Sequence, residues 1–287
     1  MTAEEQFLGL LGSQQAVWVT VQAYRGSVPR EEGAWMAVFA GSTVGSIGGG
    51  HLEWQAIAQA RALLGGQADA PVRRYALGPS LGQCCGGEVT LGFERVSASE
   101  VPRLRQHFSA QQALWPPVAL FGGGHVASAL VQVLGRLPFQ VHWVDSRDGI
   151  FPETLPASVS TEYSEPVQGA VASLAPRSRV LIMSFSHAED LDVVAACLQR
   201  QRARGDLPFI GLIGSRSKWA TFSHRLAERS FSASELAQVI CPIGVPGIAG
   251  KAPEVIAVAV AAQLLQLNST IDAVPSLRYT SEAIHDS

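Results

Sequence analysis

Three glycine-bearing turns and one cysteine pair hold the residue types that could do chemistry. Leu120-Phe121-Gly122-Gly123-Gly124-His125-Val126-Ala127 follows an apolar run, and Gly122, Gly124 and Ala127 fit G-x-G-x-x-G/A. In such a turn the first glycine permits the tight bend, the second lets a phosphate approach the backbone, and the small third residue lets helix and strand pack closely. Asp145, with Arg147 just beyond it, closes the next strand, Val141-His142-Trp143-Val144, at the interval of about 20 residues where a ribose-binding acid would sit. A second turn, Gly45-Ser46-Ile47-Gly48-Gly49-Gly50, leads to His51 and Glu53. A third, Gly211 to Lys218, supplies Ser215, Arg216, Ser217 and Lys218 beside a helix start, which is a natural anion site. Each of these also reads as a plain strand-to-helix turn. Together they suggest a small to medium phosphorylated ligand.

Cys84-Cys85-Gly86-Gly87 lies in a loop, where thiolates suit a soft metal and the glycines let a bulky ligand approach. The plain reading buries one thiol and leaves the other incidental. Cys197 sits in an apolar helical run and reads as core; Cys241, at a strand end, reads as structural. Ser184-Phe185-Ser186-His187 follows another apolar run, with Asp190 beyond it. Strand carboxyl ends line the ligand crevice of open α/β sheets, so His187 faces either that crevice or a capping role. No G-x-S-x-G, H-E-x-x-H or Walker lysine motif occurs.

These residues need positioning elements, and the chain supplies two kinds. Thr2 and Glu5 form a capping-box signature for a first helix to about Leu11. Ala16–Val21 reads as a strand, Gly41-Ser42 as a hairpin turn, and Leu52, Gln55, Ile57, Ala60 and Leu64 as a helical rhythm ending at Gly65-Gly66. Strands near Arg73–Leu77 and Glu88–Phe93 bracket the cysteine loop. Beyond Gln111–Pro117 the pattern changes: apolar runs at 118–121, 180–183 and 209–213 and a strand at 140–144 alternate with helical segments. That alternation predicts a parallel sheet with helices on both faces. The fold class is therefore α/β: an N-terminal α/β domain over 1–110, a Rossmann-like parallel-sheet domain over 117–268, and a polar tail over 269–287.

Composition narrows the function classes. Of 287 residues, 47% are hydrophobic and 16% charged, which excludes disorder. A net charge of −3 provides no field to attract nucleic acid or an anionic membrane. The start is acidic and lacks a signal-peptide pattern, and the apolar stretch 255–267 is short of the roughly 20 residues of a spanning helix. A cytoplasmic protein without disulfides is the expectation.

Taken together, Gly26-Ser27-Val28-Pro29-Arg30, Gly45–Gly50 with Leu52-Glu53, Leu77–Gly87 with its double cysteine, Phe121–Ala127, Val144-Asp145-Ser146-Arg147 with Phe151-Pro152, and Pro242-Ile243-Gly244 resemble the XdhC family of xanthine dehydrogenase accessory proteins. The resemblance runs in order from about Ala16 to Leu265. It implies a chaperone without turnover chemistry that binds the molybdenum cofactor (molybdopterin) and holds it during sulfuration by a cysteine-desulfurase-type sulfurtransferase. The chaperone then delivers the cofactor to the xanthine dehydrogenase apo-subunit. Under that reading the cofactor contacts are Gly48–Gly50, Cys84, Cys85, Gly86, Gly122, Gly124, His125, Asp145, Arg147, His187, Ser215, Arg216 and Lys218. Cys85 would approach the molybdenum and Asp145 the pterin. The competing reading is an NAD(P)-dependent oxidoreductase that uses Gly122–Ala127 and Asp145. A homodimer is left open.

Overall fold

The computed structural model describes residues 2–67, 70–77 and 87–271, which divide after Gln111 into two units. In the first, α1 (Ala3–Leu11) opens with the Thr2–Glu5 capping box formed in both directions. It leads into β1 (Ala16–Arg25), β2 (Trp35–Val38), β3 (Thr43–Gly45), α2 (Gly50–Leu64), β4 (Val72–Ala76), β5 (Glu88–Val96) and α3 (Val101–Ala113). The five strands form one antiparallel sheet in the order β3-β2-β1-β5-β4.

Strand β1 is apolar at successive positions because both faces of this sheet are covered. Val17, Val19 and Val21 pack with Leu52, Ala56 and Ala60 of α2. Ala16 and Trp18 pack with Phe7 and Leu11 of α1 and Leu104 and Phe108 of α3.

The second unit contains β6 (Pro117–Phe121), α4 (His125–Leu134), β7 (Gln140–Asp145), β8 (Val159–Tyr163), a 3-10 stretch Val167–Ser173, β9 (Arg179–Ile182) and α5 (His187–Arg204). Then follow β10 (Phe209–Leu212), α6 (Arg216–Glu228), α7 (Ala233–Leu236), β11 (Val239–Ile240) and α8 (Pro253–Ile271). All six strands are parallel, in the order β11-β10-β9-β6-β7-β8. Numbered from β6, that is the doubly wound order 3-2-1-4-5-6, with its switch point between β6 and β9. Helices α4 and α8 cover one face through Leu130, Leu134, Ala257, Val260 and Leu264. The other face is covered by α5, α6 and the 3-10 stretch, through Leu191, Val194, Leu198, Phe222 and Val171. Cys197 lies in that core, fully buried, where desolvation pushes its thiol up to about 12. Helix α8 continues through Ile271, into the segment read from the sequence as tail. No helix among the described residues is long and apolar enough to cross a membrane.

Candidate functional site

Because the strands of the second unit are parallel, their carboxyl ends all open on one edge of the sheet. That edge gathers Gly122, Gly124 and His125 after β6, Asp145 and Arg147 at β7, His187 after β9, and Ser215, Arg216 and Lys218 after β10. The turn after β6 is built tightly. The Gly122 N–H donates to the Val144 carbonyl at 2.8 Å, and the buried Trp143 indole N–H donates to the Gly122 carbonyl at 2.7 Å. With φ at +113°, a Cβ on Gly122 would lie 2.0 Å from the Met183 carbonyl oxygen, so only glycine fits. Gly124 is different, since a Cβ there would meet nothing within 4 Å.

Asp145 is 1% exposed, yet its carboxylate is fully engaged within the chain. It accepts the Gly123 N–H at 2.5 Å, the Arg147 N–H at 2.8 Å, and the Arg147 guanidinium at both oxygens, 2.9 Å each. Burial pushes this carboxyl up, but the Arg147 and Gly123 donors outweigh burial and hold it below the usual range. The sequence placed here an acid available to a ribose or a pterin. The structure shows an acid already satisfied, whose work is to fix the glycine turn and aim Arg147. The Arg147 guanidinium carbon stacks 4.6 Å from the ring centroid of Phe185, which is 66% exposed.

The neighbouring turns are occupied in the same way. Glu189 accepts the Ser146 hydroxyl and the Phe185 N–H, while Asp190 accepts the Ser184 N–H at 2.7 Å. Lys218, nearly buried, donates to Asp190 at 2.6 Å and to the Ile213 carbonyl at 2.9 Å. Ser186 caps α5 and Ser215 caps α6. His187 opens α5 with its ring edge-on to Phe222. His125 and Arg216 open α4 and α6 and are exposed. Helix α4 is the exception: its N-cap is Gly124, and no side chain caps it. Its first-turn N–H groups are thus the donors at this edge that their own chain does not cap with a side chain.

In the first unit, the turn before α2 carries its own anion. The Glu53 carboxylate accepts the Ser46 hydroxyl at 2.6 Å, the Ile47 N–H at 3.1 Å and the Gly49 N–H at 3.0 Å. Gly48 is required for packing, as a Cβ would lie 2.5 Å from the Pro29 side chain, and its N–H donates to Ser46. The donors that the sequence offers to a phosphate at Gly48–Gly50 are therefore largely spent on Glu53 and Ser46. Cys84, Cys85 and Gly86 lie outside the described residues.

Sequence reasoning named Phe185 and Glu53 within their motifs but gave neither a role. Phe185 is an exposed aromatic between two serines, with no periodic signal to mark it. Glu53 follows the glycine turn at the spacing of a helix first turn, and that spacing was a usable signal.

Comparison with known proteins follows the two units. The family model described as XdhC Rossmann domain matches residues 118–264, and that of the XdhC and CoxI family matches residues 10–76. Uncharacterized protein YqeB of Escherichia coli (strain K12) is 26% identical over 253 residues, which cover 85% of this chain and 42% of that protein. The chain thus spans less than half the length of the curated relative it matches. A Bacillus halodurans crystal structure described as a xanthine dehydrogenase aligns with a TM-score of 0.75 at 20% identity, covering 96% of this chain and 98% of that one. At that identity the likeness establishes a shared fold.

Proposed function

This chain belongs to the XdhC family, and from that premise we propose that it is an accessory protein of xanthine dehydrogenase that carries the molybdenum cofactor. In this reading it holds the cofactor while a cysteine-desulfurase-type sulfurtransferase sulfurates it, then passes it to the apo-subunit, and performs no turnover chemistry itself. Family membership supports the accessory role. The cofactor reading rests on one observation, the uncapped N-terminus of α4 beside the Arg147–Phe185 stack.

That donor set suits the cargo. A phosphate takes backbone N–H groups at a helix start and a guanidinium, and a flat pterin ring takes an exposed aromatic face. His125 and Arg216 add polar groups at the same edge, and the space open at Gly124 leaves room for a ligand to approach the backbone. The cargo brings a molybdenum centre whose sulfur the dehydrogenase needs; the chain's own part is to bind, orient and shield. A nicotinamide dinucleotide in the usual pose asks Asp145 to accept from its ribose, and that carboxylate already accepts four donors.

The test is retention and transfer. The full chain is incubated with molybdenum cofactor, separated by gel filtration, assayed for bound pterin by fluorescence after oxidation, and added to cofactor-free xanthine dehydrogenase. Co-elution of pterin and recovery of dehydrogenase activity are expected. Saturable NADH binding without pterin retention would overturn the reading in favour of a dinucleotide enzyme.

A further inference from the structure

A cavity in the second unit lies at the opposite end of the sheet from the glycine turn. It has a volume of about 500 Å3 and is lined at the amino ends of β6, β7 and β8 and by the segment leading into β9. The connection from β8 to β9 carries only the short 3-10 stretch, which packs on α5, so the sheet face at β7–β8 is left open at this corner. Cross-strand pairing sets His142 opposite Ser160, and Glu162 follows on the same face.

The imidazole is engaged at both nitrogens: Nδ1 lies 3.1 Å from the Ser160 hydroxyl and Nε2 lies 2.7 Å from Glu162 Oε2. The Ser158 hydroxyl, also in the lining, is buried and has no hydrogen-bond partner among the described residues. A buried hydroxyl left unpaired is costly, which points to a polar group of something that enters. Val118, Val141 and Leu174 give the cavity apolar walls.

The charge of this cavity selects the ligand class. Among the described residues lining it, Glu162 is the one carboxylate and none is Lys or Arg. Helix α4 also ends here. A Cβ on Gly135, at its carboxyl end, would lie 2.4 Å from the Pro156 ring, beside the lining residue Ala157. The carboxyl end of a helix is the negative end of its dipole. Both terms oppose an anion and favour a cation, the reverse of the other edge. A volume of this size suits a small molecule.

We propose that this cavity is a second small-molecule site and that it takes a cationic amine or amidine, the charged nitrogen on Glu162 and the apolar body against Val118 and Leu174. The site is independent of the cofactor reading, and failure of that reading leaves it unaffected.

Benzamidine serves as the probe. Titrated into the full chain labelled at its histidines, it should move the His142 imidazole resonances saturably, and benzoate, of the same shape and opposite charge, should not. Glu162→Gln should weaken benzamidine binding at least tenfold with the melting temperature unchanged. Absence of a saturable His142 shift in the wild type would overturn the proposal whatever the variant does. So would equal affinity for benzoate or an unchanged affinity in Glu162→Gln.

Discussion

The guanidinium of Arg147 grips the buried carboxylate of Asp145 with two hydrogen bonds, Nε to Oδ1 and Nη2 to Oδ2, both 2.9 Å. The same carboxylate holds the Gly123 N–H, so one acid couples the end of β7 to the turn after β6. Arg147→Ala leaves that carboxylate buried with only backbone donors, a change expected to cost about 2–4 kcal/mol of stability near neutral pH. The sign with pH follows from the pairing. In the wild type the Asp145 pKa lies below its ordinary value, so its contribution is present above that value and fades as pH falls through the folded one. In the variant burial dominates and the folded pKa rises. The loss caused by Arg147→Ala should therefore be largest at neutral pH and shrink below about pH 4. Urea denaturation of both proteins across that range checks it; a loss independent of pH would refute the coupling.

The two outer glycines of the same turn should respond in opposite ways. Gly122→Ala drives a methyl into the Met183 carbonyl at positive φ and should destabilise by about 2–4 kcal/mol or prevent folding. Gly124→Ala points a methyl into open space at an extended backbone angle, so its melting temperature should stay within a few degrees of wild type. If a phosphate approaches that backbone, Gly124→Ala should nonetheless lose pterin retention about tenfold or more. Full retention in a well-folded Gly124→Ala protein would place the ligand elsewhere.

The fold was largely legible where pattern and burial coincide. The Thr2–Glu5 capping box, the apolar β1, the helix ending at Gly65 and the strands of the parallel sheet core all announce themselves by local chemistry. Strand β8 does not, because it is an edge strand with no fully buried position and therefore no alternation to read. The site was legible as a set of positions but not as a set of roles. Asp145, Glu53 and Lys218 have the residue types of ligand-binding groups, and each is consumed by a partner that only the fold brings near: Arg147 and Gly123, Ile47 and Gly49, Asp190 and Ile213. Spacing in sequence reports which atoms are available, and tertiary structure decides which remain so.

Acid should loosen the two units through different carboxylates. Hydrogen bonds from the Ser99 hydroxyl, the Ser97 N–H and the Ser97 hydroxyl hold Glu100, in the first unit, down to about 2. Arg202, then the Ser232 N–H and hydroxyl, hold Glu235 in the second down to about 2. Lowered folded pKa values mean that these contributions are present above the ordinary glutamate range and are lost as pH falls from about 4.5 to about 2. Both carboxylates are half-buried at the surface, so the effects are small and partly screened by salt. Glu100→Gln and Glu235→Gln should each flatten the fall of the denaturation midpoint in that window and leave a smaller difference from wild type at low pH than at neutral pH. Parallel curves for wild type and variants would contradict the assignment.

Lys218 tests whether a cation beside a helix start serves a ligand or the fold. Its ammonium is nearly buried, bonded to Asp190 and to the Ile213 carbonyl, and Asp190 in turn fixes the Ser184 N–H at the turn after β9. Removing one partner of a buried pair strands the other charge, so Lys218→Met should cost about 3–5 kcal/mol. Asp190→Asn keeps an acceptor for Ser184 while discarding the charge. The double variant Lys218→Met/Asp190→Asn should therefore recover at least half of the loss, a coupling that a double-mutant cycle in urea reads directly. Because the fold is the role assigned to Lys218, the double variant should also retain pterin as the wild type does. Additive losses would break the pair apart energetically, and a stable double variant that no longer retains pterin would return Lys218 to the ligand.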